Sequence, residues 1–150
     1  MHLLVAAVGR MRGSPLRAAW DDYAGRMGWR VDLREVEARA ADGPQRTAEE
    51  GALLRRAIAP AACRVALDRG GESLSSEALA GRLGGWRDQA RMPVAFLIGG
   101  ADGLARDLVE KADLVIAFGR QTWPHLLARV MLIEQLYRCQ AILSGHPYHR

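Results

Sequence analysis

Residues 94–100 read VAFLIGG. Val94 to Ile98 form an apolar run with no polar break, with Pro93 ahead of it and two glycines behind. A strand wetted on one face alternates polar and apolar residues; an unbroken run is the pattern of a strand covered on both faces, as in a parallel sheet layered with helices. Working outward, CRVALD (63–68) is a second strand, RGGESL a turn, and Ser75 or Ser76 the cap of a helix reaching Arg91. Upstream, HLLVAAV (2–8) is a buried strand, GRMRGSP a loop, and Pro15 starts a helix to Met27 with Leu16, Trp20, Tyr23 and Met27 on one face. A strand follows at 30–36, then a polar loop, then a helix over 46–59 with Thr47 as candidate N-cap and Pro60 as its stop. Downstream, ADG turns into a helix at 104–112, DLVIAFG (113–119) is a strand, RQTWP a loop, and a long helix covers 125–143. Strands alternating with helices throughout predict an α/β fold, with a mostly parallel sheet and helices on both faces. No repeat, linker or low-complexity tract divides the chain, so residues 1–150 read as a single domain.

The length is that of one ordinary domain, and about 70% of the unfolded surface is expected to be buried. Apolar residues make up 49%, a globular content. No apolar run reaches membrane-spanning length, and MHLLVAAVGR lacks a basic leader, so it reads as a strand rather than a signal peptide. Cys63 and Cys139 both fall in apolar runs and read as small buried hydrophobes. That usage fits a reducing, cytoplasmic setting, and two distant cysteines make no zinc site of their own. A net charge of +4 and a pI near 9.7 permit an acidic partner such as nucleic acid. Twenty of the 21 basic residues are arginine, which suits phosphate and base-plane contacts, although a GC-rich coding sequence is the plainer source of that ratio.

In an open parallel sheet the site lies at the carboxyl ends of the strands. Three glycine-bearing loops fall there: DRGGE after residue 67, GGADG after 98 and GRQTWP after 118. No Walker phosphate loop, no dinucleotide fingerprint after the first strand and no nucleophile elbow is present. In the last helix Leu126, Val130, Ile133, Tyr137 and Ala141 form one stripe, and Leu127, Met131 and Leu132 widen it. That width predicts cover on both flanks, the second by another subunit. His125 and Arg129 share a face near the helix start, where the helix dipole does not favour a cation, so a ligand or anionic partner is expected. Glu134 and Arg138 read as a solvated i, i+4 bridge. The tail GHPYHR (145–150) has three readings: histidine metal ligands, a frayed end, or the edge of an active site bringing an acid/base group, a ring and a cation.

Together VALDRGGESLSSEALA, AFLIGGADGL, TWPHLLARVMLIEQLYRC and HPYHR resemble the SPOUT-class ribosomal RNA methyltransferases, specifically the large subunit methyltransferase H family. The resemblance spans the chain. It implies a SPOUT (α/β-knot) fold with a C-terminal trefoil knot, a homodimer, and S-adenosylmethionine as methyl donor. It also implies methylation of N3 of pseudouridine 1915 in helix 69 of 23S rRNA on the assembled ribosome, in the cytoplasm and without metal. By motif, cofactor contacts fall at Leu67, Gly100, Gly119, Arg120, Gln121, Thr122, Trp123 and Pro124. His149, Tyr148, Arg150, His125 and Arg129 face the methyl group and the base, with His149 or His125 taking the imide proton. Arg10, Arg12 and Arg17 extend the RNA footprint or form ordinary surface. The competing classes are a non-catalytic RNA- or ribosome-binding protein of the same fold and, more distantly, a zinc hydrolase using His125, His146 and His149.

Overall fold

The computed structural model describes residues 1–58 and 63–149. The elements run β1 (His2–Val8), α1 (Leu16–Arg26), β2 (Arg30–Val36), α2 (Pro44–Ala57), β3 (Cys63–Glu72), α3 (Ser76–Asp88), β4 (Val94–Ile98), α4 (Arg106–Glu110), β5 (Leu114–Ile116) and α5 (His125–Ser144), ending in a 3-10 turn (Pro147–His149). The strands form one sheet in the order β2-β1-β4-β3-β5, every ladder parallel.

The apolar run at 94–98 is the central strand, and all five residues are buried. Because side chains alternate across a strand, β4 feeds two cores. Val94, Phe96 and Ile98 meet Trp20, Leu83, Leu132 and Leu136 from α1, α3 and α5. Ala95 and Leu97 meet Leu54 of α2 and Leu108 of α4. Helices therefore cover both faces, three on one and two on the other. Burying a side chain such as Phe96 contributes about 1.5–3 kcal/mol, so this strand anchors both layers.

Element boundaries differ from the sequence expectation where a partner sets them. β3 continues to Glu72 instead of ending at 68: Leu67 and Glu72 both pair with Ile116, and residues 68–71 bulge out between them. Asp68 Oδ1 ties the bulge by accepting the Gly70 N–H at 2.8 Å. A Cβ on Gly71 would lie 2.6 Å from the Ile116 backbone, so only glycine fits this approach. β5 stops at Ile116, short of 119, because its neighbour offers one last contact, the Glu72 carbonyl, which accepts the Ala117 N–H.

α2 starts at Pro44 behind Gly43; Thr47 lies inside its first turn, donating to the Gly43 carbonyl at 3.4 Å, and is not the N-cap. The expected helix end at 59 and the stop at Pro60 lie outside the described residues. Ser75 caps α3 as expected, its Oγ accepting the Ala78 N–H. That helix ends at Asp88, not Arg91, because Ala90 turns into the left-handed region at φ 55° and the Arg91 N–H reaches back to the Trp86 carbonyl. α4 is shorter than 104–112. α5 keeps its expected span and closes on Gly145, with the His146 N–H capping the Ala141 carbonyl at 2.8 Å.

The broad apolar surface of α5 is covered largely inside the chain, by α1 and α3. Much of the flank expected to meet a second subunit thus packs on neighbouring helices of the same chain. What remains half-exposed is the N-terminal part: Leu127 and Met131 join neither core, and Trp123 just ahead of the helix is 40% exposed. Among the described residues no helix is long and apolar enough to cross a membrane.

Both cysteines are buried. Burial, then the nearby Asp113 carboxylate, pushes the Cys63 thiol up to about 11; burial, then Glu134, pushes Cys139 up to about 12. Fewer than ~0.1 thiols per chain should react with a disulfide reagent at pH 8 in the folded protein, and both should react once it is unfolded. Ala90→Gly relieves the left-handed strain and should raise stability by about 1 kcal/mol, read as a melting-point increase of about 2–4 °C.

Candidate active site at the carboxyl end of the sheet

With every strand parallel, the loops after β3, β4 and β5 emerge at one end of the sheet. A cavity of about 600 Å³ opens there beside β5. The β3–α3 connection supplies Leu74 to Ser76, the segment after β5 supplies Phe118 and Gly119, and α5 supplies Val130, Met131, Glu134 and Gln135. Its walls are mainly apolar, with a short polar chain on one side: the Ser76 hydroxyl donates to Gln135 Oε1, and Gln135 Nε2 donates to Glu134 Oε2, both at 2.7 Å. Apolar walls with a few converging polar groups are the usual form of a small-molecule site.

Among the residues expected to touch a cofactor, Gly119 alone lines this cavity. Leu67 is the last paired residue before the bulge in β3. Gly100 opens the turn after β4, where its carbonyl accepts the Gly103 N–H at 3.1 Å; a Cβ there would press on Val8 and the Glu50 carboxylate at 3.1 Å. Arg120, Gln121, Thr122, Trp123 and Pro124 form an exposed loop folded back by Trp123 Nε1 donating to the Phe118 carbonyl at 2.9 Å. The sequence reading missed the cavity walls from Leu74 to Ser76, Phe118, and the Val130–Gln135 face. Ser75 was legible as a helix cap, and residues 130, 131, 134 and 135 share a helical face, but neither signal separates a cavity wall from a core stripe.

His125 and Arg129 do share a face, and it is turned inward. His125 sits half-buried against Gly9, whose backbone at φ 84° brings it to the ring; a Cβ there would be 3.0 Å from Nε2. Burial, then the Arg129 charge, holds the imidazole below its ordinary value, with Glu50 opposing. Arg129 was expected to face the incoming base, and the structure places it elsewhere. It is fully buried, donating Nη1 to Glu35 Oε1 at 2.8 Å and Nη2 to the Val8 and Gly9 carbonyls. Those groups answer its charge. In the basic loop nearby Arg10 pairs with Glu37, and in the first turn of α1 Arg17 pairs with Asp21, while exposed Arg12 has no ion pair among the described residues.

The tail is docked rather than frayed. The Tyr148 ring meets Tyr137 edge-on at 4.6 Å, and its hydroxyl lies 3.4 Å from both the Tyr23 hydroxyl and Glu134 Oε1. The Arg26 guanidinium lies over the rings of Tyr23, Tyr137 and Tyr148, and Arg138 over Tyr148. The Glu134–Arg138 bridge is therefore not simply solvated: it is partly buried under the tail, and Glu134 is also a wall of the cavity. The contact with Tyr23, then burial, pushes the Tyr148 hydroxyl up to about 12, so it stays protonated near neutral pH. His146 Nδ1 accepts the Tyr148 N–H at 3.3 Å. The His149 side chain and Arg150 lie outside the described residues. No group of three His, Cys, Asp or Glu side chains converges as a metal site among the described residues.

These features match known proteins along their whole length. A family model described as predicted SPOUT methyltransferase matches residues 1–149. The chain is 54% identical over 151 residues to a ribosomal RNA large subunit methyltransferase H of Rhodospirillum centenum, covering 100% of this chain and 99% of that relative. It is 47% identical over 159 residues to the protein of the same name from Rhodopseudomonas palustris strain BisB18, with the same coverage. A probable methyltransferase of Bordetella pertussis Tohama I shares the fold at TM-score 0.59 and 18% identity, over 92% of this chain and 95% of that one. On its parallel sheet, its clustered loops and this end-to-end similarity, the chain belongs to the SPOUT methyltransferases, within the ribosomal RNA large subunit methyltransferase H family.

Proposed function

We propose that this chain transfers a methyl group from S-adenosylmethionine to N3 of pseudouridine 1915 in helix 69 of 23S rRNA, acting as a homodimer on the assembled ribosome. The carrying observation is Glu134, which walls the cavity and also contacts Tyr148 of the tail, so one side chain joins a cofactor-sized space to the expected reaction edge. The cavity fits the donor by size and chemistry: about 600 Å³ with apolar walls for a nucleoside, Ser76 and Gln135 for its polar groups, and the Glu134 carboxylate for a cation. S-adenosylmethionine, when bound, supplies an electrophilic methyl group on a sulfonium.

The residues of the chain do the rest. The imide N3–H must lose its proton as the nitrogen attacks. A neutral imidazole accepts protons, and the depressed pKa of His125 keeps it neutral at physiological pH. His149 stays a candidate for the same role. Tyr148, held protonated, offers a donor and a ring face to an extruded base rather than a base of its own. Arg12, exposed in the β1–α1 loop and without an ion pair among the described residues, is suited to a phosphate. Leu127, Met131 and Trp123 supply the surface for a second copy, and a knotted threading of the C-terminal segment belongs to the same reading.

Ribosomes lacking the modification should take up label from methyl-labelled S-adenosylmethionine at that nucleotide. Cofactor binding with no label transferred would instead mean a ribosome-binding protein without the chemistry. A chain truncated after Ser144 should bind the cofactor within about tenfold of the native value, roughly 1.4 kcal/mol, and lose transfer. If His125 takes the proton, the acidic limb of the kcat/KM profile should have its midpoint below about 6.5, the ordinary histidine value. Activity would then persist to lower pH than an unshifted histidine allows. A midpoint at or above that value removes His125 from the role.

A further inference from the structure

A buried polar cluster outside the cavity surrounds Arg129. Its guanidinium has no exposed surface, and its Nε has no hydrogen-bond partner among the described residues. The other two nitrogens grip three points of the neighbouring backbone and strand: the carbonyls of Val8 and Gly9, where β1 ends, and the Glu35 carboxylate on β2. The same Glu35 oxygen accepts the Met11 N–H at 2.7 Å. The β1–α1 loop is thereby fastened at residues 8, 9 and 11, immediately before its exposed Arg12. The Gly9 backbone in turn forms the wall against which His125 Nε2 rests. Arg129 lies one helical turn from His125 and faces the same way.

We infer that Arg129 and Glu35 are positioning residues for the methyl-transfer reaction: the pair, fully buried on its Arg129 side and half-buried on its Glu35 side, locks the β1–α1 loop against His125 and fixes a permanent positive charge beside that imidazole. The inference rests on the proposed function for its catalytic consequence, not for its geometry. Three elements present charged groups to this region: α5 with Arg129, α2 with the buried Glu50, and β2 with Glu35, whose charge is spent on Arg129. Arg129 favours the neutral ring and Glu50 the protonated one, so the charge balance depends on both arms. Arginine is required rather than any cation, since a lysine ammonium lacks the planar fork that reaches two carbonyls and a carboxylate together.

Two readouts separate this role from a purely structural one. The first is the His125 imidazole titration followed by NMR on the protein alone. Arg129→Met should raise its midpoint by about half a pH unit or more, because the neighbouring cation is gone, while Arg129→Lys keeps the charge and should hold it within ~0.2. The second is transfer to ribosomes. Arg129→Lys and Glu35→Gln should each lower kcat by about tenfold or more, with S-adenosylmethionine affinity within about threefold, because the loop and ring lose their fixed position. An unchanged midpoint in Arg129→Met, or native kcat in Arg129→Lys, overturns the inference. Should Arg129→Met not fold, Gly9→Ala takes its place: the added methyl must displace the His125 ring, so its NMR signals should shift and kcat fall about tenfold, and native kcat there is equally fatal. If the native protein transfers no methyl at all, the proposed function fails, while the histidine titration still decides the positioning of the ring.

Discussion

A guanidinium withdrawn completely from water must be surrounded by acceptors, and in this molecule that requirement ties the first strand, the second strand and the last helix together at Arg129. The desolvation of such a charge is costly unless acceptors replace the lost water. The exposed pairs elsewhere, such as Arg17–Asp21 and Arg106–Glu110, are i, i+4 contacts worth about 0.3–0.5 kcal/mol each. Arg129 therefore outweighs the more numerous surface bridges in deciding geometry. Its acceptors lie at the carboxyl end of β1, so the fixed point falls at the same end of the sheet as the loops that form the site.

The architecture was legible because its signals are local and redundant. VAFLIGG announced a strand buried on both faces, and the alternation of strands with helices carried the rest. The boundaries that moved are those set by distant partners. Nothing in DRGGE reveals that β5 will pair with both ends of the segment and turn a loop into a bulge. The site was half legible for a similar reason. Helical spacing placed His125 with Arg129 and Glu134 with Arg138, but it cannot say what faces them. Glu35, which answers Arg129, is 94 residues away in sequence. The tail drew attention by its composition, yet its anchor is Arg26, which a linear reading leaves as one surface arginine among many.

That anchor explains how a chain end becomes ordered without a core of its own. Three tyrosine rings from α1, α5 and the tail gather around one cation, with Arg138 on the outer side. Each cation–ring contact at an exposed site is a weak attraction, and so is each aromatic pair. Spread over several rings, such contacts together hold the tail against α5. Glu134 connects this surface cluster to the wall of the cavity.

The order of the strands has a further consequence for the company this molecule keeps. Its two sheet margins are β2 and β5, the places where a foreign strand would add. β2 carries Arg30, Asp32 and Arg34 at alternate positions, with His2 and Arg30 against Asp32 and the Arg34 side chain folded onto the Ala57 carbonyl. β5 is three residues long and offers almost no ladder. Charged and abbreviated margins of this kind resist edge-to-edge polymerisation. Such margins leave helix faces, loops and side chains as the surfaces on which an association can be built, and they keep the sheet from becoming a template for its own copies.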